Sequence, residues 1–161
     1  MNHADLVKRA GRWLANTRKC VLSFQEANCW GIREFPDAIG WTIDGYSILV
    51  ECKTNLKDFH RDKHKPAKYL AKASGGETMG RERWFLTPAG LLAPEQLPEG
   101  SGLLEVRGRV LRRVVEAATD ERPGRQDAEL PLLLWAARKQ AWKRGYSARM
   151  VKLAFVREGG Q

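Results

Sequence analysis

The chain has 161 residues, of which 43% are hydrophobic and 29% charged; this is enough to close one ordinary core without disulfide staples and too apolar for a disordered chain. Lys and Arg outnumber Asp and Glu by 28 to 19, a formal net charge of +9. That balance favours an anionic partner, with nucleic acid the commonest, but does not separate a nuclease from a DNA-packaging or membrane-surface protein. Cys20, Cys29 and Cys52 are odd in number and form no CxxC pair, which argues against a disulfide framework or a four-thiolate metal site. Reduced thiols, an N-terminus without a signal-type apolar core and the absence of any bilayer-length apolar run together predict a cytoplasmic protein of bacterial type with no membrane partner.

Residues 3–16 read as an amphipathic helix: Leu6, Val7, Ala10, Trp13 and Leu14 recur at helical spacing, with Lys8, Arg9 and Arg12 off that stripe. Cys20–Phe24 reads as a short strand, and residues 25–35 as a loop. Two apolar runs, Phe35–Ile43 and Tyr46–Lys53, flank Asp44-Gly45 and predict a hairpin. A basic helix is expected over 56–72, bent or interrupted at Pro66, and a flexible loop over 73–80. Further strands are expected at Arg83–Thr87 and Leu103–Arg107, the latter turning at Gly108 into Arg109–Val115. Residues 116–129, with Pro123-Gly124, read as a linker. A last helix from about Pro131 to Arg144 follows, proline in its first turn and Gly145 as its cap. The order predicts an α/β (α+β) domain, a central mixed sheet flanked by helices, with 1–115 as the core and 116–161 as a helical extension packed on it.

Chemistry concentrates at Glu51 and Lys53. Two residues apart in a strand, they share a face, while Ile48, Val50 and Cys52 take the other. Charges on a central strand need each other or a ligand. Taken alone, an ion pair at the strand end and a reactive site are equally good readings. Asp37 tips the balance. If the hairpin turns through Ile43-Asp44-Gly45 with Gly45 left-handed, Thr42 pairs with Tyr46 and, counting outwards, Asp37 falls opposite Glu51. Opposed carboxylates repel unless a cation lies between them, and Mg²⁺ or Mn²⁺ suits such oxygen donors. A strict two-residue turn at Asp44-Gly45 would instead put Asp37 opposite Cys52, on the wrong face.

Pro36-Asp37 followed by Glu51-Cys52-Lys53 at the end of the next strand resembles the PD-(D/E)xK nuclease superfamily, the restriction-endonuclease-like fold. The preceding helix, the hairpin and the following basic helix match that family's core order over roughly residues 3–90. The stretch EFPDAIGW…SILVECK is also similar to small nuclease-like proteins of phages and prophages. The resemblance implies a metal-dependent deoxyribonuclease, phage-encoded or bacterial, on a restriction-endonuclease-like core. It implies Asp37, Glu51 and the Cys52 carbonyl as ligands of Mg²⁺ or Mn²⁺, with Lys53 beside the attacking water or scissile phosphate. Many members add an acid from the first helix. Here only Asp5 stands there, a departure that turns attention to Glu34 or Glu26.

Lys57, Arg61, Lys63, Lys65 and Lys68, directly after Lys53, are candidate phosphate-backbone contacts to DNA. Arg107, Arg109, Arg112 and Arg113 form a second basic patch. His60 and His64 would share a helix face but lack a third zinc ligand, and read as solvated surface. Trp13, Trp41, Trp84 and Trp135 read as core. Gly75-Gly76 and Gly80 match no phosphate-binding fingerprint. A nuclease-like protein without chemistry that binds nucleic acid or a host machine is the alternative, and a homodimer is left open.

Overall fold

The structure, a computed structural model, describes residues 1–27, 34–63, 79–119 and 125–143. Among them, six strands form one mixed sheet in chain order: β1 Leu22–Gln25, β2 Ala38–Trp41, β3 Ser47–Cys52, β4 Glu82–Pro88, β5 Gly102–Arg107 and β6 Val110–Val115. β3, β4 and β5 run parallel, while β1–β2, β2–β3 and β5–β6 pair antiparallel. The helices are α1 (His3–Asn16), α2 (Leu56–Lys63) and α3 (Arg125–Lys143). The fold is therefore α+β, with a sheet flanked by helices. No helix among the described residues is long and apolar enough to cross a membrane.

α1 starts where it does because Asn2 and Asp5 cap it reciprocally. The Asn2 side chain accepts from Asp5 N–H at 2.8 Å, and the Asp5 carboxylate accepts from Asn2 N–H at 3.4 Å. Its apolar stripe, Leu6, Val7, Ala10, Trp13 and Leu14, is buried against Ala38, Ile48, Val50, Cys52, Trp84, Leu86, Leu104 and Val106. The last turn is pinned by one carboxylate. Glu82 accepts from Arg18 at 2.8 Å, Tyr46 at 2.9 Å and Trp84 Nε1 at 2.8 Å, and Arg18 also lies over the Trp13 ring. Burial opposes the Glu82 charge, but the Arg18, Trp84 and Tyr46 hydrogen bonds outweigh it and hold its pKa below the ordinary value.

The other face of the sheet carries Ile39, Trp41 and Leu49, packed with Met79 and with Leu132 of α3. Glu129 fastens α3 there, accepting from Trp41 Nε1 at 2.7 Å and from Gly80 N–H at 2.8 Å. Farther along, Phe59 of α2 packs on Phe85, Leu92 and Leu103. Covered on both sides, β3 is buried at every position. That is why Ser47–Cys52 reads as a nearly continuous apolar run rather than an alternating one.

The hairpin forms in the register expected with a left-handed Gly45. Ala38 pairs with Val50, Ile39 with Leu49, Gly40 with Ile48 and Trp41 with Ser47. Thr42 N–H donates to the Tyr46 carbonyl at 3.0 Å and Gly45 N–H to the Thr42 carbonyl at 3.0 Å, with Gly45 at φ +79°. Trp13, Trp41 and Trp84 are core, as their apolar surroundings predicted.

The sequence reading's boundaries shift most at β1 and α3. β1 begins at Leu22, not Cys20, because the chain is still leaving α1: Cys20 N–H donates to the Leu14 carbonyl and Lys19 takes φ +57°. α3 begins at Arg125, so Pro131 lies inside the helix rather than in its first turn. Residues 125–129 belong to that helix and not to a linker, their polar composition masking the buried role of Glu129. The expected basic helix is described as Leu56–Lys63. Its continuation through Pro66, along with His64, Lys65, Lys68, Gly75-Gly76 and the Gly145 cap, lies outside the described residues.

Gly102 opens β5 directly beneath Trp84, and a Cβ there would lie 2.4 Å from the indole. Gly102→Ala must displace the Trp13–Trp84 packing that joins α1 to the sheet, whose ring centroids are 5.3 Å apart. Overpacking of this kind costs about 1–3 kcal/mol. The expected result is a lower urea midpoint with an unchanged slope.

Candidate active site

Charge enters β3 only at its C-terminal end. Glu51 and Lys53 are both buried, with side chains 6% and 8% exposed and Lys53 Nζ 3.5 Å from Glu51 Oε2. Lys53 is held in place by its backbone, whose N–H donates to the Leu86 carbonyl at 3.0 Å. The β2–β3 register continues outward from Ala38/Val50, so Asp37 stands at the level of Glu51. Asp37 Oδ2 accepts from Cys52 N–H at 2.7 Å, and Oδ1 lies 3.3 Å from Nε2 of His3, at the start of α1.

The proline before Asp37 affects the same place. Thr42 and Tyr46 form a hydrogen-bonded pair, so the alternation of an antiparallel ladder makes 40/48, 38/50 and 36/52 hydrogen-bonded pairs too. Residue 36 is a proline without an N–H. The ladder therefore supplies no donor from β2 to the Cys52 carbonyl, while the Asp37 side chain takes the Cys52 N–H.

A second cation reaches Glu51 from β4. Arg83 grips Glu34 with both terminal nitrogens: Nη1 donates to Oε2 at 3.0 Å and Nη2 to Oε1. Nη1 also donates to the Met79 carbonyl at 2.9 Å, while Met79 N–H donates to Glu34 at 3.2 Å. Arg83 Nη2 stands 4.0 Å from Glu51 Oε1. Of the two further acids expected from sequence, Glu34 thus adjoins the site through Arg83. Glu26 is exposed, with its backbone N–H donating to the Asp37 carbonyl at 2.8 Å. Asp5 serves the α1 cap.

Sequence reasoning missed His3 and Arg83. Neither carries a motif, and both arrive through tertiary packing: α1 lays its first turn beside Asp37, and the parallel pairing of β3 with β4 sets Arg83 beside Leu49, close to Glu51 on the same strand. The basic residues divide by position. Lys57 is exposed on α2 and Arg61 is exposed with a weak link to Asp58 at 3.2 Å. Arg107, Arg109, Arg112 and Arg113 are exposed on the β5–β6 hairpin, where Arg112 pairs in register with Glu105. Burial pushes the Cys52 thiol up, which holds its side chain protonated at neutral pH.

No group of three or more His, Cys, Asp and Glu side chains among the described residues is arranged to hold a metal ion. What the site offers a divalent cation is a mixed set: the carboxylates of Asp37 and Glu51 and the carbonyl of Cys52, all hard oxygen donors of the type Mg²⁺ and Mn²⁺ take. Electrostatics fit that set. Burial first, and the Glu51 charge second, raise the Asp37 carboxyl above its ordinary 3.8, outweighing the opposing Cys52 N–H, His3 and Lys53. A pair of carboxylates in that condition favours added positive charge.

The raised Asp37 has a consequence for stability. The folded state binds this proton more tightly than the unfolded chain, so stability falls as pH rises from about 3.8 through the folded value, and the penalty persists above it. Asp37→Asn should therefore melt higher than the wild type at neutral pH, with the difference closing on acidification through that window. Thermal melts of both proteins across pH check this. A variant melting lower at neutral pH would show that the bond from Cys52 N–H outweighs burial and repulsion.

No protein-family model and no curated protein matches the chain. Among solved structures, the chain is similar to SPO1766, a protein of unknown function from Silicibacter pomeroyi, at 19% identity and a TM-score of 0.60, over 96% of this chain and 99% of that one. At this identity the likeness extends to the fold alone.

Proposed function

We propose that this protein is a metal-dependent nuclease that hydrolyses phosphodiester bonds of DNA, built on a restriction-endonuclease-like core and acting in the cytoplasm of a bacterial cell, encoded by the bacterium or by a phage. The observation that carries this reading is Asp37 at the level of Glu51, one step beyond the Ala38/Val50 pair at the C-terminal end of β3. The two carboxylates are buried enough to raise the Asp37 pKa, with Lys53 3.5 Å from Glu51. Mg²⁺ or Mn²⁺ held by Asp37, Glu51 and the Cys52 carbonyl would lower the pKa of water and neutralise phosphate charge. The protein's own groups do the rest. Asp37 and Glu51 would set where that cation sits, and so where a scissile phosphate could meet it. Lys53 orients the attacking water and offsets charge developing on the phosphate. Lys57 and Arg61 on α2, with Lys63, Lys65 and Lys68 along the same stretch, hold the DNA backbone.

One observation favours a second reading. Glu51 already has Lys53 at 3.5 Å and Arg83 at 4.0 Å, as it would in a purely structural ion-pair cluster. On that reading the chain is a catalytically inactive protein that binds nucleic acid or a phage-host partner.

Two variants separate these readings. Glu51→Gln keeps shape and removes charge; on the nuclease reading it loses metal affinity and cleavage while DNA binding survives. Lys53→Ala keeps metal binding and slows cleavage by about 10²–10³. The structural reading instead expects both variants to be destabilised, by several kcal/mol for a stranded buried charge, with no metal-dependent activity to lose. Calorimetric metal titration, melting and cleavage of DNA and RNA substrates in Mg²⁺, Mn²⁺ and EDTA provide the measurement. A wild-type protein that neither binds these metals nor cuts any substrate overturns the assignment.

DNA affinity should also fall steeply with salt. Replacing Lys57, Arg61 and Lys65 by Ala should flatten the slope of log K against log salt by about 0.9 for each phosphate no longer neutralised. Unchanged affinity would move the binding surface to the Arg109, Arg112 and Arg113 hairpin.

A further inference from the structure

We infer that Thr87 is a positioning residue for Lys53, its buried hydroxyl seating the Lys53 ammonium when Asp37 and Glu51 carry a cation. This role presupposes the nuclease reading of the site and adds a residue outside the Asp37, Glu51 and Lys53 set.

Thr87 stands out by what its hydroxyl lacks. The residue is 0% exposed, and Thr87 Oγ1 is the one buried side-chain N or O atom without a hydrogen-bond partner among the described residues. A hydroxyl in that condition costs stability, because it gives up water and gains nothing in exchange. Valine has the same shape, suits a strand as well and would carry no such cost. Glu105 stands in register with Thr87 on β5, but its carboxylate accepts from Gly90 N–H at 2.8 Å and from Arg107 at 3.3 Å instead.

The neighbour on the other side is Lys53. Cys52 pairs with Leu86, and Lys53 N–H donates to the Leu86 carbonyl at 3.0 Å, so the parallel register carries Lys53 to a place beside Thr87. Glu51 pairs with Phe85 two residues earlier, which puts Lys53 and Thr87 on the same face of the sheet as Glu51. Neighbouring strands lie about 4.8 Å apart. A hydroxyl accepts as well as donates, and an ammonium carries three rotatable donors, so Thr87 can join the partners that Lys53 already has.

The order of the strands gives the direction. β2, which leads back to Asp37, lies on one side of β3, and β4 with Thr87 lies on the other. Lys53 Nζ is 3.5 Å from Glu51 Oε2. Positive charge held by Asp37 and Glu51 repels the ammonium away from β2, toward the place in the row where the Thr87 hydroxyl stands without a partner. A lysine seated there is held in one position, which is what orienting a water or a phosphate requires.

The test uses the intact chain with Thr87→Val, Thr87→Ser, Lys53→Ala and the Thr87→Val/Lys53→Ala pair. In EDTA, Thr87→Val should melt about 2–4 °C above the wild type, since it removes an unpaired hydroxyl. Calorimetry with Mn²⁺ alone should show Thr87→Val binding about tenfold more weakly than the wild type. Lys53→Ala and the double variant should bind the ion alike, because Thr87 acts through Lys53. On DNA at saturating Mn²⁺, Thr87→Val should lower kcat by about 10–100-fold with little change in KM, while Thr87→Ser, which keeps the hydroxyl, should keep most of the wild-type rate. A Thr87→Val protein that melts lower than the wild type, or fails to fold, would make the hydroxyl a structural group and overturn the inference. Wild-type Mn²⁺ affinity or wild-type kcat in Thr87→Val, a rate in Thr87→Ser as low as in Thr87→Val, or a further loss of Mn²⁺ affinity in the double variant would each overturn it too. A wild type that neither binds Mn²⁺ nor cleaves removes the nuclease reading and this role together, whereas an active wild type matched by Thr87→Val removes this role alone.

Discussion

The structure turns on a strand that cannot tolerate charge along its length. β3 lies between β2 and β4 with α1 on one face and the Leu132 cluster on the other, and every residue from Ser47 to Cys52 is buried. An ionised side chain in its middle would lose its hydration without replacement. At its C-terminal end the chain turns toward α2, and charged groups from neighbouring elements meet Glu51 and Asp37. Glu51 and Lys53 are placed where a buried strand can first accommodate polar chemistry, which is also where α/β folds place ligands, beyond the carboxyl ends of parallel strands.

From that end the rest of the site follows as compensation. Glu51 brings negative charge into a half-dry place. Lys53, Arg83 and, through Asp37, His3 converge on it, while Glu34 offsets Arg83 in turn. The result alternates carboxylate and cation across neighbouring parts of the fold. Asp37 remains the least compensated member, its carboxyl pushed up by burial and by Glu51. A carboxyl raised in this way costs stability at neutral pH, as residues kept for function commonly do.

The two helical layers have separate tasks. α1 joins the sheet through apolar area and the Glu82 network, and its capped first turn sets His3 beside Asp37. α3 reaches the opposite face and is fastened by the single carboxylate of Glu129 to Trp41 and Gly80. α2, with its exposed Lys57 and Arg61, follows the C-terminal end of β3 in the chain.

Much of this was legible in the amino-acid order. The stripe of α1 and the β2–β3 hairpin could be read because they rest on local rules, the helical period and the Asp-Gly turn, but the register stayed open between two turn types. Only the three-residue turn with a left-handed Gly45 brings Asp37 level with Glu51, and the structure has that turn. The start of α3 could not be read, because Glu129 looks like a linker residue until Trp41 and Gly80 bury it. Nor could Arg83, whose place depends on the parallel pairing of β3 with β4, a contact across a long connection with no local signal. By itself, then, the sequence determined which residues carry charge into the core strand and that a hairpin joins it to the strand before. Only the tertiary structure decided which groups answer that charge, because the field at a buried carboxylate is set by whatever packing brings within a few ångströms, irrespective of distance along the chain.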